Sequence, residues 1–330
     1  MKKFGKIVKW VLIIFMILYT GVYVYYNHFI KNKVGSITTK SYVTEITWIP
    51  FRWSSDENTD RAALYIPLRI DSISQTVYAQ FDLGIQRTLI TSFTKAYPYL
   101  KKYTLENKYK DLPIYLGNNE RHLFTQNKMI DYGKEKPEDF IPKDSNDIVK
   151  VGDIGFDYIK GRIFICDFVK NRYALVDELP KKMEQQIRWI PSSLVKTNAW
   201  PIHLPIVING NERSFFYDNG SSMFTILTTK RYWREITNDG ETRRDSLKLT
   251  SWGEYFNYVR AQPKQKIANI LGNDLSDKKV FYTDRMNDFT MTLWNHFEGI
   301  TGLMGNEYFR HDVLIIDTKT NRAGFYVEGK

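Results

Sequence analysis

The chain has little cysteine and no recognisable metal-ligand spacing. Cys166 is the single cysteine among 330 residues, so no disulfide can form within the chain and a folded domain must depend on its core. The five histidines, at positions 28, 122, 203, 296 and 311, lack the spacing of a zinc motif. No Gly-x-Ser-x-Gly elbow surrounds Ser221 or Ser222, as a serine hydrolase of that type requires. We therefore predict no metal and no other cofactor.

Outside its N-terminus the chain also lacks an excess of positive charge. It holds 47 Lys and Arg residues against 37 Asp and Glu residues. Seven of the lysines fall within residues 1–40, which contain no acid, so 40 basic residues face 37 acidic ones in the remainder. A nucleic-acid-binding domain usually carries a clustered basic surface. We therefore predict no nucleic-acid partner.

The longest apolar run lies near the N-terminus. No charge occurs from Trp10 to Tyr26, and four lysines precede this run. Its length is at the short end of the roughly 17–25 residues that cross a bilayer. No small-x-small cleavage site follows it, which favours an uncleaved anchor over a signal peptide. The lysines predict a cytoplasmic N-terminus, so we expect a single-pass membrane protein, with the lipid bilayer as one partner and the folded part outside the cytoplasm.

The second half of the chain repeats part of the first. Residues 151–175 (VGDIGFDYIKGRIFICDFVKNRYAL) align without a gap on residues 301–325 (TGLMGNEYFRHDVLIIDTKTNRAGF), an offset of 150. Identical residues include the pairs Gly152 and Gly302, Gly155 and Gly305, Tyr158 and Tyr308, Asp167 and Asp317, Asn171 and Asn321, and Arg172 and Arg322. Self-similarity of this kind indicates a repeated structural unit.

Each copy carries an Asp-x-Gly sequence after an alternating, strand-like stretch. Residues 65–90 align with 203–227 with small gaps, which places Asp82-Leu83-Gly84 over Asp218-Asn219-Gly220. The sequence WIP also recurs, at 48–50 and 189–191. A single Asp-Asn-Gly is common in turns, because Asn and Gly tolerate positive φ. Two matched copies instead favour a pair of functional carboxylates.

The remaining pattern is mostly of short strands between turn residues. It predicts one hairpin from 112–116 and 122–124 and a second from 247–250 and 255–260. Short helices are expected near 92–100 and 228–233. We predict a mainly β protein with two homologous lobes and these parts: a cytoplasmic tip and transmembrane anchor (1–33), a linker (34–61), a first lobe (62–177), an interlobe connection (178–200) and a second lobe (201–330).

These motifs resemble those of the bilobal pepsin-like and retropepsin-like aspartic peptidases, especially the bacterial aspartyl-protease type. LPIVINGNERSFFYDNGSS (204–222) is similar to that family's strand, turn, strand and Asp-Thr-Gly-Ser-Ser motif. GLMGNEYFRHDVLIIDTKTNRAGF (302–325) is similar to its apolar-apolar-Gly element, short helix and closing strand. The resemblance covers roughly residues 62–330. It implies two pepsin/retropepsin-like lobes, a peptide or protein substrate in the cleft, catalytic Asp82 and Asp218, and supporting Gly84, Gly220, Asn219 and Ser221.

Two carboxylates held close together can perform hydrolysis without a metal. Like charges in a poorly solvated cleft cannot both ionise easily, so the pair shares a proton and titrates as one unit. One carboxyl then acts as acid and the other as base towards a water that attacks an amide carbonyl. The glycine after each aspartate allows the backbone to approach the carboxylate closely.

The chain departs from the family pattern beside both aspartates. The family has Thr or Ser after each catalytic Asp, whereas this chain has Leu83 and Asn219. Leucine has no hydroxyl to donate, and the Asn219 amide is a candidate replacement on the second side. Ser221 keeps the family's serine after the glycine, but Ile85 does not. Asp82 therefore has fewer donors, and we expect its pKa to be the higher of the two.

Two functions remain open from the sequence. The two Asp-x-Gly motifs favour a membrane-anchored aspartic endopeptidase, and the missing hydroxyls favour a pseudopeptidase that binds peptides or envelope partners in the cleft. A purely structural protein is the third class, although it has no evident need for two matched aspartates. We expect the hairpin over 112–124, with Tyr115, to be the flap. Cys166 aligns with Ile316 and is interpreted as a core residue.

Overall fold

The computed structural model describes most of the chain. The described residues are 2–25, 35–38, 43–71, 73–91, 96–106, 108–117, 119–126, 136–144, 147–190, 202–237, 245–251, 254–269, 272, 274–283 and 299–327. Within them the protein is mainly β and forms three sheets, so the predicted fold class is confirmed at this level. All the predicted parts of the chain lie partly outside these residues, including the anchor region at 26–33, the first short helix at 92–95 and the connection at 191–200.

The strands are short and evenly distributed. In the first part of the chain they are β1 (Gly35–Thr38), β2 (Ile49–Pro50), β3 (Arg52–Ser54), β4 (Ala63–Ile70), β5 (Val77–Phe81), β6 (Leu89–Ile90), β7 (Thr104–Leu105), β8 (Lys108–Leu116), β9 (Glu120–Gln126), β10 (Lys150–Ile154), β11 (Ile163–Asp167), β12 (Arg172–Val176) and β13 (Ile187–Trp189). In the second part they are β14 (His203–Ile208), β15 (Asn211–Tyr217), β16 (Ile226–Thr228), β17 (Asp245–Ser251), β18 (Glu254–Ala261), β19 (Ile267–Asn269), β20 (Val280–Thr283), β21 (Gly302–Met304), β22 (Val313–Asp317) and β23 (Arg322–Tyr326).

The helices are few. The α-helices are α1 (Lys2–Tyr25), α2 (Lys181–Glu184) and α3 (Lys230–Ile236). Single 3₁₀ turns cover Pro98–Tyr103, Pro137–Phe140, Phe156–Tyr158, Asn219–Ser221 and Asn306–Phe309. Among the described residues no helix is both long enough and apolar enough to cross a membrane. The anchor inferred from residues 10–26 stays a prediction.

Two sheets are built from separate parts of the chain, and the third combines both parts. A nine-stranded sheet runs β1-β9-β8-β4-β5-β10-β6, with β3 paired to β4 and β7 to β8. An eight-stranded sheet runs β17-β18-β20-β16-β21-β15-β14-β19. The six-stranded sheet runs β13-β23-β22-β11-β12-β2 and is antiparallel throughout. Its centre is the pairing of β11 with β22, where Ile165 lies opposite Ile315.

Both predicted hairpins are present and longer than expected. β8 pairs with β9, with Leu112 opposite Phe124, and β17 pairs with β18, with Leu249 opposite Phe256. The second predicted helix exists as α3, but it begins after Thr229, whose hydroxyl accepts from the Tyr232 N–H, and extends to Ile236. For the first predicted helix, the described part is a 3₁₀ turn that begins at Pro98, a residue suited to the first turn of a helix.

Side chains of the six-stranded sheet divide between two apolar clusters. One face carries Phe164 and Ile316 into the main core, where the ring centroid of Phe164 lies 5.0 Å from that of Phe81. The other face carries Ile165 and Ile315 into a smaller cluster. Burying each large apolar side chain contributes about 1.5–3 kcal/mol to stability. The main core therefore fixes Phe81, and with it the end of β5, above the six-stranded sheet.

Candidate active site

Both Asp-x-Gly sequences follow a buried strand that lies parallel to another strand. Asp82 comes directly after β5 and Asp218 directly after β15. The Asp82 N–H donates to the Ile154 carbonyl at 2.9 Å, and the Asp218 N–H donates to the Met304 carbonyl at 2.9 Å. The backbone hydrogen bonds between β5 and β10 therefore extend to Asp82, and those between β15 and β21 extend to Asp218. The backbone of both residues is held in the same way.

The two Asp-x-Gly turns pack against each other reciprocally. A Cβ added to Gly84 would lie 2.6 Å from Asp218 Cγ and 2.7 Å from Asp218 Oδ1. A Cβ added to Gly220 would lie 2.5 Å from Asp82 Cγ and 2.6 Å from Asp82 Oδ2. Real Cβ atoms do not approach other atoms so closely, so each carboxyl occupies space that only a glycine leaves free. The structure brings the two predicted aspartates and the two predicted glycines into one site.

The carboxyl groups affect each other and also accept hydrogen bonds from their own turns. The Asp82 and Asp218 carboxyls are close enough that each shifts the pKa of the other. The Gly84 N–H donates to Asp82 Oδ1 at 2.9 Å, and the Gly220 N–H donates to Asp218 Oδ1 at 2.9 Å. Both aspartates are half-buried, which leaves part of each residue accessible.

The side-chain donors of the two aspartates differ. Ser221 Oγ donates to Asp218 Oδ2 at 2.8 Å. The position aligned with Ser221 is Ile85, which has no polar side-chain atom and cannot supply the same bond to Asp82. The supporting role predicted for Ser221 therefore rests on a direct contact with one carboxylate, and the difference predicted between the two sides is present in the geometry.

Asn219 connects the two turns. Its side-chain Oδ1 accepts from the Leu83 N–H at 2.5 Å, so the amide reaches across to the other Asp-x-Gly sequence. Its backbone carbonyl accepts from Ser222 Oγ at 2.7 Å and from Asn306 Nδ2 at 3.0 Å. The Tyr217 hydroxyl donates to Asn306 Oδ1 at 2.6 Å. The Leu83 side chain is fully buried and has no polar atom, so the only side chain in this link between the two turns is that of Asn219.

The pKa values of the two carboxyls are raised to different extents. Burial, then the negative charge of Asp218, then that of Asp153 raise the pKa of Asp82 well above its ordinary value. Burial also raises the pKa of Asp218, but hydrogen bonds from the Ser221 side chain and the Gly220 and Ser221 backbone N–H groups oppose this effect. Because Ser221 donates to Asp218, the surroundings favour the proton on Asp82. This order agrees with the one expected from the sequence.

Three polar residues beside the site were not identified from the sequence. Gln80 Nε2 donates to the Gly220 carbonyl at 3.0 Å, and Lys150 Nζ donates to Gln80 Oε1 at 2.9 Å. Lys150 Nζ also lies 2.8 Å from Asp153 Oδ1. The repeat contains the signal that could have found them, because the alignment places Gln80 over the apolar Phe216 and Asp153 over the apolar Leu303.

Tyr115 lies on β8, as the flap prediction requires, but the turn of its hairpin is fixed. The Arg69 guanidinium lies 4.9 Å from the centre of the Tyr115 ring. At the turn end of the hairpin, Glu120 Oε2 forms an ion pair with Arg162 at 2.9 Å. A Cβ on Gly117 would lie 3.4 Å from the Tyr158 hydroxyl. These contacts hold the turn on the body of the protein, and the role of Tyr115 as a flap residue stays a prediction.

The other candidate sites have ordinary surroundings. Cys166 is buried, and burial raises the pKa of its thiol well above the ordinary value, which disfavours the reactive thiolate. Within the ranges described above, no group of three or more His, Cys, Asp and Glu side chains is arranged to hold a metal ion. No protein-family model matches the chain, and no curated protein matches it.

Proposed function

We propose that the protein is an aspartic endopeptidase-like hydrolase that cleaves peptide bonds with Asp82, Asp218 and an activated water. The observation that carries the proposal is the reciprocal packing of the two Asp-x-Gly turns, in which each glycine lies against the opposite carboxyl. The closeness of the two carboxyls, each of which shifts the pKa of the other, supports it further. An ion pair or a turn has no need of two matched acids that repel each other.

We also propose that the chain contains two homologous lobes of the pepsin or retropepsin type, related by a pseudo-twofold axis. β11 and β22 begin and end 150 residues apart, and so do β12 and β23. In both pairs an arginine at the start of the later strand donates to an aspartate at the end of the earlier one: Arg172 to Asp167 at 2.9 Å and Arg322 to Asp317 at 3.1 Å. The pseudo-twofold axis would pass between Ile165 and Ile315, which lie opposite each other.

The geometry supports a general acid and base mechanism. Asp82, with the higher pKa, holds the shared proton and acts as the acid towards the substrate carbonyl. Asp218 is stabilised as an anion by Ser221 Oγ and the Gly220 N–H, so it acts as the base that removes a proton from the attacking water. The substrate class we propose is an extended peptide, because the resemblance to aspartic peptidases implies one and both aspartates are only half-buried.

The second candidate function is a pseudopeptidase that binds a peptide or an envelope partner without cutting it. Leu83 favours this alternative, because it replaces a hydroxyl that would tie the first turn to the second. Ile85 favours it as well, because Asp82 lacks the donor that Asp218 receives from Ser221. Loss of supporting hydrogen bonds usually lowers activity strongly without removing the binding surface.

We include attachment to a membrane in the proposal, on the basis of the uncharged run over 10–26 and the lysines before it. Protease added to intact spheroplasts should degrade the part of the chain that follows α1. If that part survives until the membrane is permeabilised, the predicted orientation is wrong.

Cleavage of a peptide library by the full-length chain between pH 3 and 7 tests the proposal. We expect slow cleavage that is fastest at acidic pH, inhibition by a statine-containing peptide and complete loss in Asp218→Asn. Cleavage that persists in Asp218→Asn would refute the dyad mechanism. If nothing is cut but the statine peptide binds, and Asp218→Asn abolishes that binding, the pseudopeptidase alternative takes precedence.

A further inference from the structure

The polar group of Gln80, Lys150 and Asp153, here called the Gln80 network, lies beside Asp82. Gln80 is two residues before Asp82, and successive side chains of a strand alternate, so the two share a face. Asp153 lies opposite Gln80 in the parallel pairing of β10 with β5. Aligned residues of neighbouring strands point to the same face, so the Asp153 carboxylate also lies on the side of the dyad.

The network reaches the dyad through Gly220. Gln80 Nε2 donates to the Gly220 carbonyl at 3.0 Å, and Gly220 is the residue that packs against the Asp82 carboxyl. Lys150 Nζ holds the other end of the Gln80 amide, at 2.9 Å from Oε1. One continuous chain of contacts therefore joins the charged pair on β10 to the atoms around Asp82.

The fold itself does not require this polar network. At the aligned positions of the repeat, Phe216 and Leu303 pack together in an apolar cluster. Asp153 has a side chain that is only 9% exposed, and Lys150 has one that is 39% exposed. Burying a carboxylate is unfavourable unless a partner compensates for it. A buried carboxylate that needs a lysine partner, at a position where the repeat has an apolar pair, indicates a role in the site.

We propose that the Gln80 network controls the dyad: Asp153 supplies a second negative charge, besides that of Asp218, that keeps the shared proton on Asp82, and Gln80 holds Gly220 against that carboxyl. The inference deepens the proposed function and rests on it. In support, the charge of Asp153 raises the pKa of Asp82, after burial and the charge of Asp218.

The groups that face the Gln80 network each affect the ionisation of Asp82 in a definite direction. Lys150 faces Asp153 from the same strand and reduces the field that Asp153 exerts on Asp82. Asp218 faces Asp82 from the other turn and adds to that field. Tyr65 lies opposite Gln80 on β4, and burial raises the pKa of its hydroxyl, so it stays neutral through the acidic range. The net effect of Asp153 is therefore to make loss of the Asp82 proton harder.

The test is a titration of the full-length chain labelled with ¹³C at the aspartate carboxyls. Resonances of the dyad are assigned by their loss in Asp82→Asn and Asp218→Asn. We expect Asp153→Asn to move the midpoint for release of the shared proton to lower pH, by a few tenths to about one pH unit, since removing a nearby anion favours ionisation of Asp82. Glu212→Gln, which removes an exposed acid at the far end of β15, is the matched control and should leave the midpoint unchanged.

Gln80→Met separates positioning from charge. It keeps the length of the side chain and the Asp153 charge but cannot donate to Gly220. We expect an unchanged midpoint with a kcat about tenfold lower and a KM that changes little, because the reacting groups are held less well. If Asp153→Asn fails to fold, the double variant Gln80→Phe with Asp153→Leu copies the apolar pair of the repeat and should show the same movement of the midpoint.

The titration also distinguishes failure of this inference from failure of the proposed function. If the midpoint moves in Asp153→Asn but no peptide is cut, the control by the network stands and the peptidase proposal fails. If peptides are cut and the midpoint moves in neither Asp153→Asn nor the double variant, the peptidase proposal stands and the inference is overturned.

Discussion

The surroundings of Asp82 and Asp218 are alike in backbone and different in side chains. Each aspartate follows a buried strand, continues a parallel ladder and accepts from the N–H of its own glycine at 2.9 Å. Among the residues that the structure describes, only Ser221 donates a hydroxyl to either carboxyl, and it donates to Asp218 at 2.8 Å. The backbone thus sets the two carboxyls face to face, and the side chains decide which of them holds the proton.

The differences between the two sides extend past the aspartates. Gln80 and Asp153 are polar where Phe216 and Leu303 are apolar. The added charge lies on the side of the carboxyl that already lacks a donor. Both differences act in the same direction, towards a proton on Asp82.

The largest expected effect comes from replacing each aspartate by asparagine. Asp82→Asn and Asp218→Asn should both reduce cleavage by at least about a thousandfold, because neither variant can share a proton between two acids. Their stabilities at pH 7 should differ. The surroundings of Asp82 disfavour its ionised form, so Asp82→Asn should be as stable as the wild type or more so. Asp218→Asn weakens two charge-assisted hydrogen bonds and should lose about 1–3 kcal/mol.

Urea unfolding of both variants at pH 7 measures this difference, alongside the cleavage assay. Ser221→Ala is the control, since it removes the hydroxyl from Asp218 without changing the acid. It should lose about 1 kcal/mol. Equal stabilities of the two asparagine variants would mean that the donors around Asp218 do not distinguish the two sides.

The next effect concerns the glycines and should be nearly equal on the two sides. Gly84→Ala would place a Cβ 2.6 Å from Asp218 Cγ, and Gly220→Ala one 2.5 Å from Asp82 Cγ. Each should separate the carboxyls, abolish binding of a statine-containing peptide and destabilise the fold by about 2–4 kcal/mol. Gly161→Ala is the control for backbone strain alone, because its φ is +78° and no atom lies within 4 Å of its Cβ position. It should lose about 1 kcal/mol and bind the peptide normally.

The sequence predicted those parts of the site that follow from alternation of apolar residues and from the internal repeat. Alternation before Asp82 and Asp218 indicated the two strands, and the repeat indicated that the two acids are equivalent. It did not indicate that Gln80 crosses to Gly220, since that contact joins residues 140 positions apart and depends on how the two turns pack. Nor did it indicate the start of α3, which the Thr229 cap sets.

A smaller effect concerns Asp157, whose aligned residue is Glu307. Asp157 accepts from the Thr88 N–H at 2.9 Å, the Thr88 hydroxyl at 2.8 Å and the Ile37 N–H at 3.2 Å. Burial nevertheless raises its pKa to about 6. A raised pKa means that the folded state binds the proton more tightly than the unfolded state, so this group favours folding below about pH 4 and loses that contribution as the pH rises to about 6.

Unfolding free energies measured from pH 4 to 7 test this prediction. The difference between the wild type and Asp157→Asn should change by about 2–3 kcal/mol across that range, with the wild type losing more stability as the pH rises. Glu307→Gln is the matched control on the other side. Its ion-pair partners Lys278 and Arg310 lie at 3.7 and 3.5 Å, so its effect should stay below about 1 kcal/mol. A pH-independent difference for Asp157→Asn would show that Asp157 is ionised at all these pH values.

The smallest effect is expected when Asp82 is given the hydroxyl donor that Asp218 already has. This variant tests most directly the difference between the two aspartates. In Ile85→Ser the new hydroxyl occupies the position aligned with Ser221 and can donate to Asp82 Oδ2, the oxygen that does not accept from the Gly84 N–H, which favours the anion. The alkaline limb of the cleavage profile should then move to lower pH by about half a unit, and the rate at pH 4 should rise severalfold. Ile85→Ala removes the same carbon atoms without adding a donor, so it should lose about 1 kcal/mol of stability and leave the alkaline limb of the cleavage profile in place.

Adding Leu83→Thr should increase the rate further if its hydroxyl reaches the second turn, although Leu83 is fully buried and the smaller side chain leaves a cavity. If the serine and alanine variants have the same pH profile, the missing donor is not what separates the two aspartates.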